Sequence, residues 1–123
     1  MNTMMINIPL DEILTTGCNV LDCRLDADQL TIAFDHLVQE STREVINNIL
    51  LMIFGWSNFM ISKFVAPTPF VAGGWEKVSG FEPLGSVDVI RVAENRLTLE
   101  GRGRRDQEWL RYDFYDPQYR VTC

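Results

Sequence analysis

Apolar residues recur at every second position in several short stretches of this chain, and that spacing commits it to β-sheet more firmly than any other feature. Leu30, Ile32 and Phe34 alternate with Thr31, Ala33 and Asp35, the pattern of a strand with one buried and one wet face. Residues 19–25 read as its partner, joined to it by the short polar connection Asp26-Ala27-Asp28. The alternation returns in the last third. Residues 87–92 read as a strand, 93–95 as a turn, and 96–100 as a strand with one wet face. A glycine-containing connection at 101–106 follows, then a strand at 109–114 with Leu110, Tyr112 and Phe114 on one side. Asp116-Pro117 makes a turn before a last strand at 119–121. Strands at this spacing predict a mainly β protein, an antiparallel β-sandwich or small barrel ending in a meander.

The segment 41–65 admits two readings. Ser41 and Glu44 have the spacing of a capping box, and Gly55 suits the residue after a helix. That reading gives an α+β fold with one helix at 42–54. Against it, Ile49-Leu50-Leu51-Met52-Ile53-Phe54 is an unbroken apolar run, as in a central strand buried on both sides. We favour the strand, followed by a turn at 55–58 and another strand at 59–65.

A chain of 123 residues, 46% apolar, is one domain (1–123) and needs no metal or disulfide staple to bury a core. Its three cysteines, Cys18, Cys23 and Cys123, are an odd number, which fits a reducing compartment. The first fourteen residues carry Asp11 and Glu12 and no basic region, unlike a signal peptide. The most apolar stretch, 45–61, is broken by Asn47, Asn48, Gly55, Ser57 and Asn58, and falls short of the ~20 residues a membrane span needs. These features predict a cytoplasmic protein that does not engage membranes.

Charge is distributed unevenly. Of the net −6, all arises in residues 1–40, where seven acids face Arg24 alone; the remainder balances ten acids with ten bases. Such a field repels nucleic acid and attracts a basic protein. Asp22, Asp26, Asp28 and Asp35 are the expected contacts.

Residues 66–86 stand apart. Pro67, Pro69 and Pro83 with Gly73, Gly74, Gly80 and Gly85 prevent long regular structure, yet Phe70, Val71, Trp75, Val78 and Phe81 are apolar. Two readings follow: a loop whose aromatics plug one end of the core, or a loop that contacts a partner or ligand, with Phe70 and Trp75 as anchors.

No constellation points to catalysis. His36 is the only histidine, and on a strand its neighbour Asp35 points to the opposite face. Asp113, Asp116 and Glu108 are expected on wet faces. Cys18 and Cys23 lack the paired second motif of a zinc site, and Asp26 with Asp28 lacks the rest of a calcium loop. Arg102, Arg104 and Arg105, interleaved with Gly101 and Gly103, read as a solvated hairpin tip, although such glycines let backbone amides approach an anion. No metal and no cofactor is expected.

Ile53-Phe54-Gly55-Trp56, 96–101 (Arg-Leu-Thr-Leu-Glu-Gly) and 109–114 (Trp-Leu-Arg-Tyr-Asp-Phe) resemble the strand ends of small bacterial β-rich proteins, among them immunity proteins for polymorphic toxins. The resemblance spans about half the chain and transfers no residue role. It implies a cytoplasmic protein that blocks a toxin by binding it. The leading expectation is thus a non-catalytic binding or inhibitor protein with a basic partner. The alternative is a barrel-like carrier of a small apolar ligand, lidded by 66–86 and lined by Trp56, Trp75 and Trp109. A third reading is an enzyme using Asp113, Glu108 or His36, and a homodimer through a sheet edge is compatible with all three.

Overall fold

The computed structural model describes residues 13–14, 18–39 and 42–122. Among these every regular element is a strand: β1 (Ile13–Leu14), β2 (Cys18–Asp26), β3 (Gln29–Gln39), β4 (Val45–Phe54), β5 (Asn58–Val65), β6 (Gly74–Lys77), β7 (Ser86–Val87), β8 (Val89–Ala93), β9 (Arg96–Arg102), β10 (Trp109–Tyr115) and β11 (Gln118–Thr122). No helix among the described residues is long and apolar enough to cross a membrane. Asp11, Glu12, Glu40, Ser41 and Cys123 lie outside the described residues.

The strands form two antiparallel sheets packed as a sandwich. Sheet one runs β11-β4-β3-β2-β7, with β1 also pairing β3; sheet two runs β6-β5-β10-β9-β8. Period-two alternation decides what each contributes. Sheet one turns Leu30, Ile32 and Phe34 of β3 and Ile49, Leu51 and Ile53 of β4 inward. Sheet two answers with Leu97 and Leu99 of β9 and Leu110, Tyr112 and Phe114 of β10. Each such side chain contributes about 1.5–3 kcal/mol on leaving water. Phe59 stacks on Phe114 at 4.4 Å, and Trp56 packs against both rings.

One side of the sandwich is sewn shut. Val20 N–H donates to Gly85 O at 3.1 Å, Gly85 N–H to Arg102 O at 2.8 Å and Asp88 N–H to Glu100 O at 2.8 Å. The stretch 84–88 therefore bonds β2 on one flank and β9 on the other, which closes that side of the sandwich. Gly101 permits this approach: a Cβ there would lie 1.9 Å from Ser86 O, so any side chain would push β7 off β9.

The β-sandwich expectation holds, and of the two readings of 42–54 the strand is the one observed, as β4. Three details differ. The apolar run of β4 buries one face only: Ile49, Leu51 and Ile53 are inside, whereas Leu50 is 37% exposed and Met52 and Phe54 are half-buried. No described element covers the outer side of sheet one, so this central strand has just one dry face. The strand expected at 87–92 breaks at Asp88, where the chain leaves sheet one for sheet two. The last strand does not extend the meander of β8, β9 and β10; after Asp116, held at φ 53°, it crosses to sheet one and pairs β4.

The segment 66–86 divides in three. Residues 66–73 form the tip of the β5–β6 hairpin, β6 is an edge strand, and 78–85 returns to the seam, packing Val78 and Phe81 against the core.

Candidate functional site

Both sheets present an outer face, and the charged residues on the two behave differently. On sheet two, Asp113 points outward as alternation requires, yet it is 1% exposed. The expected wet-face aspartate is thus covered. Arg96, one pair along on β9, donates from Nε and Nη2 to Asp113 Oδ1 at 3.1 and 2.8 Å, and Thr98 Oγ1 donates to the same oxygen at 2.8 Å. Arg111 Nε lies 3.0 Å from Oδ2, close enough for charge attraction, although its N–H is not aimed along a hydrogen bond. The bond and charge of Asp113 push the Arg96 guanidinium further above its usual value. Glu100, also buried, accepts from Arg91 Nη1 at 2.7 Å and from Trp109 Nε1 at 3.0 Å. Aromatic faces complete the cover: Arg111 sits 4.2 Å over Trp75 and Arg96 5.6 Å over Tyr115. Ionised carboxylates tolerate burial only when paired and hydrogen-bonded, and these two are. This lattice was invisible in the chain order because it needs the β9–β10 register; the signal was Arg and Asp on matching wet positions of a hairpin.

Sheet one is the opposite case. Alternation places Asp22 and Asp26 of β2 and Asp35 of β3 on its outer side, with Asp28 in the β2–β3 turn. Asp22 pairs with Arg24 at 2.7 Å, both well exposed. Asp26 and Asp28 have no cationic partner among the described residues, and Asp35 has only His36, with Nδ1 at 3.6 Å. That contact corrects the expectation that the two side chains diverge. Asn48, opposite in the register, takes φ 56°, and here the buried position shifts from Phe34 to Leu37. Beside these acids lie Leu21, Leu50, Met52 and Phe54, all at least partly exposed.

Phe70 and Trp75 are elsewhere. Trp75, on β6, packs edge-on to Phe64 at 5.7 Å in addition to Arg111. Phe70, at the hairpin tip, is 96% exposed. The tip carries no charge from Phe64 to Trp75. Its amides are used internally: Thr68 N–H donates to Val71 O at 2.9 Å, and Phe70 and Val71 N–H donate to Thr68 Oγ1. β5 follows β4 after a three-residue connection, next to the β2–β3 turn, and runs eight residues away from it. At ~3.3 Å per residue the tip lies about 25 Å from that turn. The structure therefore places the four acids on one sheet and separates the two at its turn, Asp26 and Asp28, from Phe70 and Trp75.

The tryptophans do not line one cavity. Trp56 packs in the aromatic core, Trp75 on Arg111 and Trp109 on Glu100. A cleft of about 460 Å³ does open beside 78–81, walled by Leu25, Phe59, Ile61, Val78 and Phe81. Glu108 pairs with Lys63 at 3.7 Å, apart from His36 on the other sheet. Among the described residues no group of three or more His, Cys, Asp or Glu could hold a metal ion. In the interior, Cys23 is buried and unbridged, 3.9 Å from the Tyr112 hydroxyl, which donates to Glu82 O. Burial pushes both the Cys23 thiol and the Tyr112 phenol above their usual values. Compared with known proteins, the chain matches no family model, no curated protein and no solved structure.

Proposed function

We propose that this domain is a non-catalytic binding protein that engages a basic protein through the outer face of sheet one, in the manner of an immunity-type inhibitor. The observation that carries the reading is the company Asp22, Asp26, Asp28 and Asp35 keep. They gather on one hairpin, with Arg24 as their single arginine partner among the described residues, beside the half-exposed Leu50, Met52 and Phe54. Such a surface has what recognition of a cation-rich partner needs: charge that speeds encounter and an apolar patch that gains on desolvation. The anchor role expected of Phe70 and Trp75 falls here to Leu21, Leu50, Met52 and Phe54.

The test is a panel of purified basic nucleases, presented to the native chain and to the variant carrying Asp22→Lys, Asp26→Lys, Asp28→Lys and Asp35→Lys. Saturable binding that weakens with salt and disappears in the variant supports the reading. Binding that survives the four reversals but is lost in Phe70→Ser moves the interface to the hairpin tip and sinks it; so does the absence of any binder in the panel.

A carrier function has one observation in its favour, the 460 Å³ cleft, which falls within the size range of small-ligand sites. Displaceable binding of an apolar fluorophore, abolished by Val78→Lys, would establish it; no binding would exclude it.

A further inference from the structure

The seam between the sheets borders a second, open cleft, of about 400 Å³, lined by Asn19, Gly85, Ser86, Arg102, Gly103, Arg104 and Gln107. In a chain of net charge −6, the charged side chains lining this cleft are all cationic. Two acids border it: Asp88 accepts the Ser86 hydroxyl at 3.1 Å, and the Asp106 carboxylate packs beside Gly103. Arg104 is tethered: its Nη2 donates to Val20 O at 2.8 Å, and its other side-chain N–H groups make no hydrogen bond or ion pair among the described residues. The Arg102 guanidinium and the side-chain amides of Asn19 and Gln107 make no hydrogen bond or ion pair among the described residues. Gly85 and Gly103 add no side chain, so the floor stays open.

We propose that this cleft binds a phosphoryl group borne on a small organic molecule. Two guanidiniums and two carboxamides supply more N–H donors than the two oxygens of a planar carboxylate can accept. A phosphoryl dianion offers three peripheral oxygens and twice the charge, and arginine suits it well. The volume exceeds what a lone phosphate fills and falls in the range of small-ligand sites. The glycine-spaced arginines 102–105, a solvated tip when read along the chain, acquire this role because the seam folds Asn19 and Ser86 against them. Asn19 lies on β2, the first strand of the acidic hairpin, but the proposal does not depend on the function proposed for the outer face of that hairpin.

Backbone amide shifts of the labelled chain, titrated separately with phenyl phosphate, inorganic phosphate and benzoate, test this. Phenyl phosphate should shift Asn19, Ser86, Arg102, Gly103 and Gln107 saturably, and more tightly than benzoate. Arg102→Gln, which removes a guanidinium with no internal bond, should weaken binding about tenfold, the worth of one charge-assisted hydrogen bond. Equal affinity for inorganic phosphate would keep the phosphoryl site and assign it to the free ion. Shifts scattered over all arginines, a preference for benzoate, or titrations unchanged in Arg102→Gln would overturn the proposal. Arg104→Gln is the weaker test, since that residue also holds Val20.

Discussion

Carboxylates on the outer face of sheet two and on the outer face of sheet one begin as the same feature, an acid at a wet position of a strand, and end differently. Asp113 and Glu100 have arginines on neighbouring strands at Arg96 and Arg91, Asp113 has Arg111 two residues before it on its own strand, and with tryptophan and tyrosine rings beside them both are drawn under that cover. Asp26, Asp28 and Asp35 have no arginine or lysine opposite and stay in water. Cross-strand neighbours, more than strand position, decide whether a surface acid becomes structure or remains available. The first face is internally satisfied and offers a partner little; the second keeps its charge and part of its apolar surface for use.

The contrast breaks most visibly at Asp113. Asp113→Ala strands Arg96 and Arg111 and should cost about 2–3 kcal/mol, below the full penalty of a broken buried ion pair because both arginines reach water. A lowered urea midpoint at unchanged slope would register it. A loss under about 0.5 kcal/mol would show that the lattice is ornament.

Alkaline pH probes the shared interior. Cys23 and Tyr112 hold their protons above the usual 9.0 and 10.0, so the unfolded chain releases them first. Stability is then complete below about pH 9 and declines above it, by up to about 1.4 kcal/mol per pH unit for each group. Cys23→Ala and Tyr112→Phe should flatten that limb in pH-dependent thermal unfolding. The four-reversal variant of sheet one should leave it unchanged.

Smaller effects sharpen the comparison. Thr98→Val removes one bond to Asp113 and should cost about 1 kcal/mol by the same urea titration. Asp26→Lys with Asp28→Lys on sheet one should stay within about 0.5 kcal/mol of the native chain, since no internal contact is lost.

Much of the architecture was legible in the chain itself. Alternation at 30–34, 96–100 and 109–114 marks strands because a two-sided sheet with one wet face leaves that imprint. What alternation cannot carry is pairing between distant strands. The break at Asp88, the crossing of β11 and the seam at Gly101 depend on long-range hydrogen bonds. The candidate site divides the same way. The four aspartates share a hairpin and lie close together in sequence; the distance from its turn to Phe70 and Trp75 depends on the direction of β5.

The central claim is that the face left unsatisfied is the face that binds. Backbone amide shifts of the labelled chain, mapped on adding a purified basic nuclease that binds it, test this most directly. The account places the perturbed residues at Asp22, Asp26, Asp28, Asp35, Leu50, Met52 and Phe54. Perturbation centred instead on Trp75, Arg96 and Arg111, with sheet one silent, would contradict it.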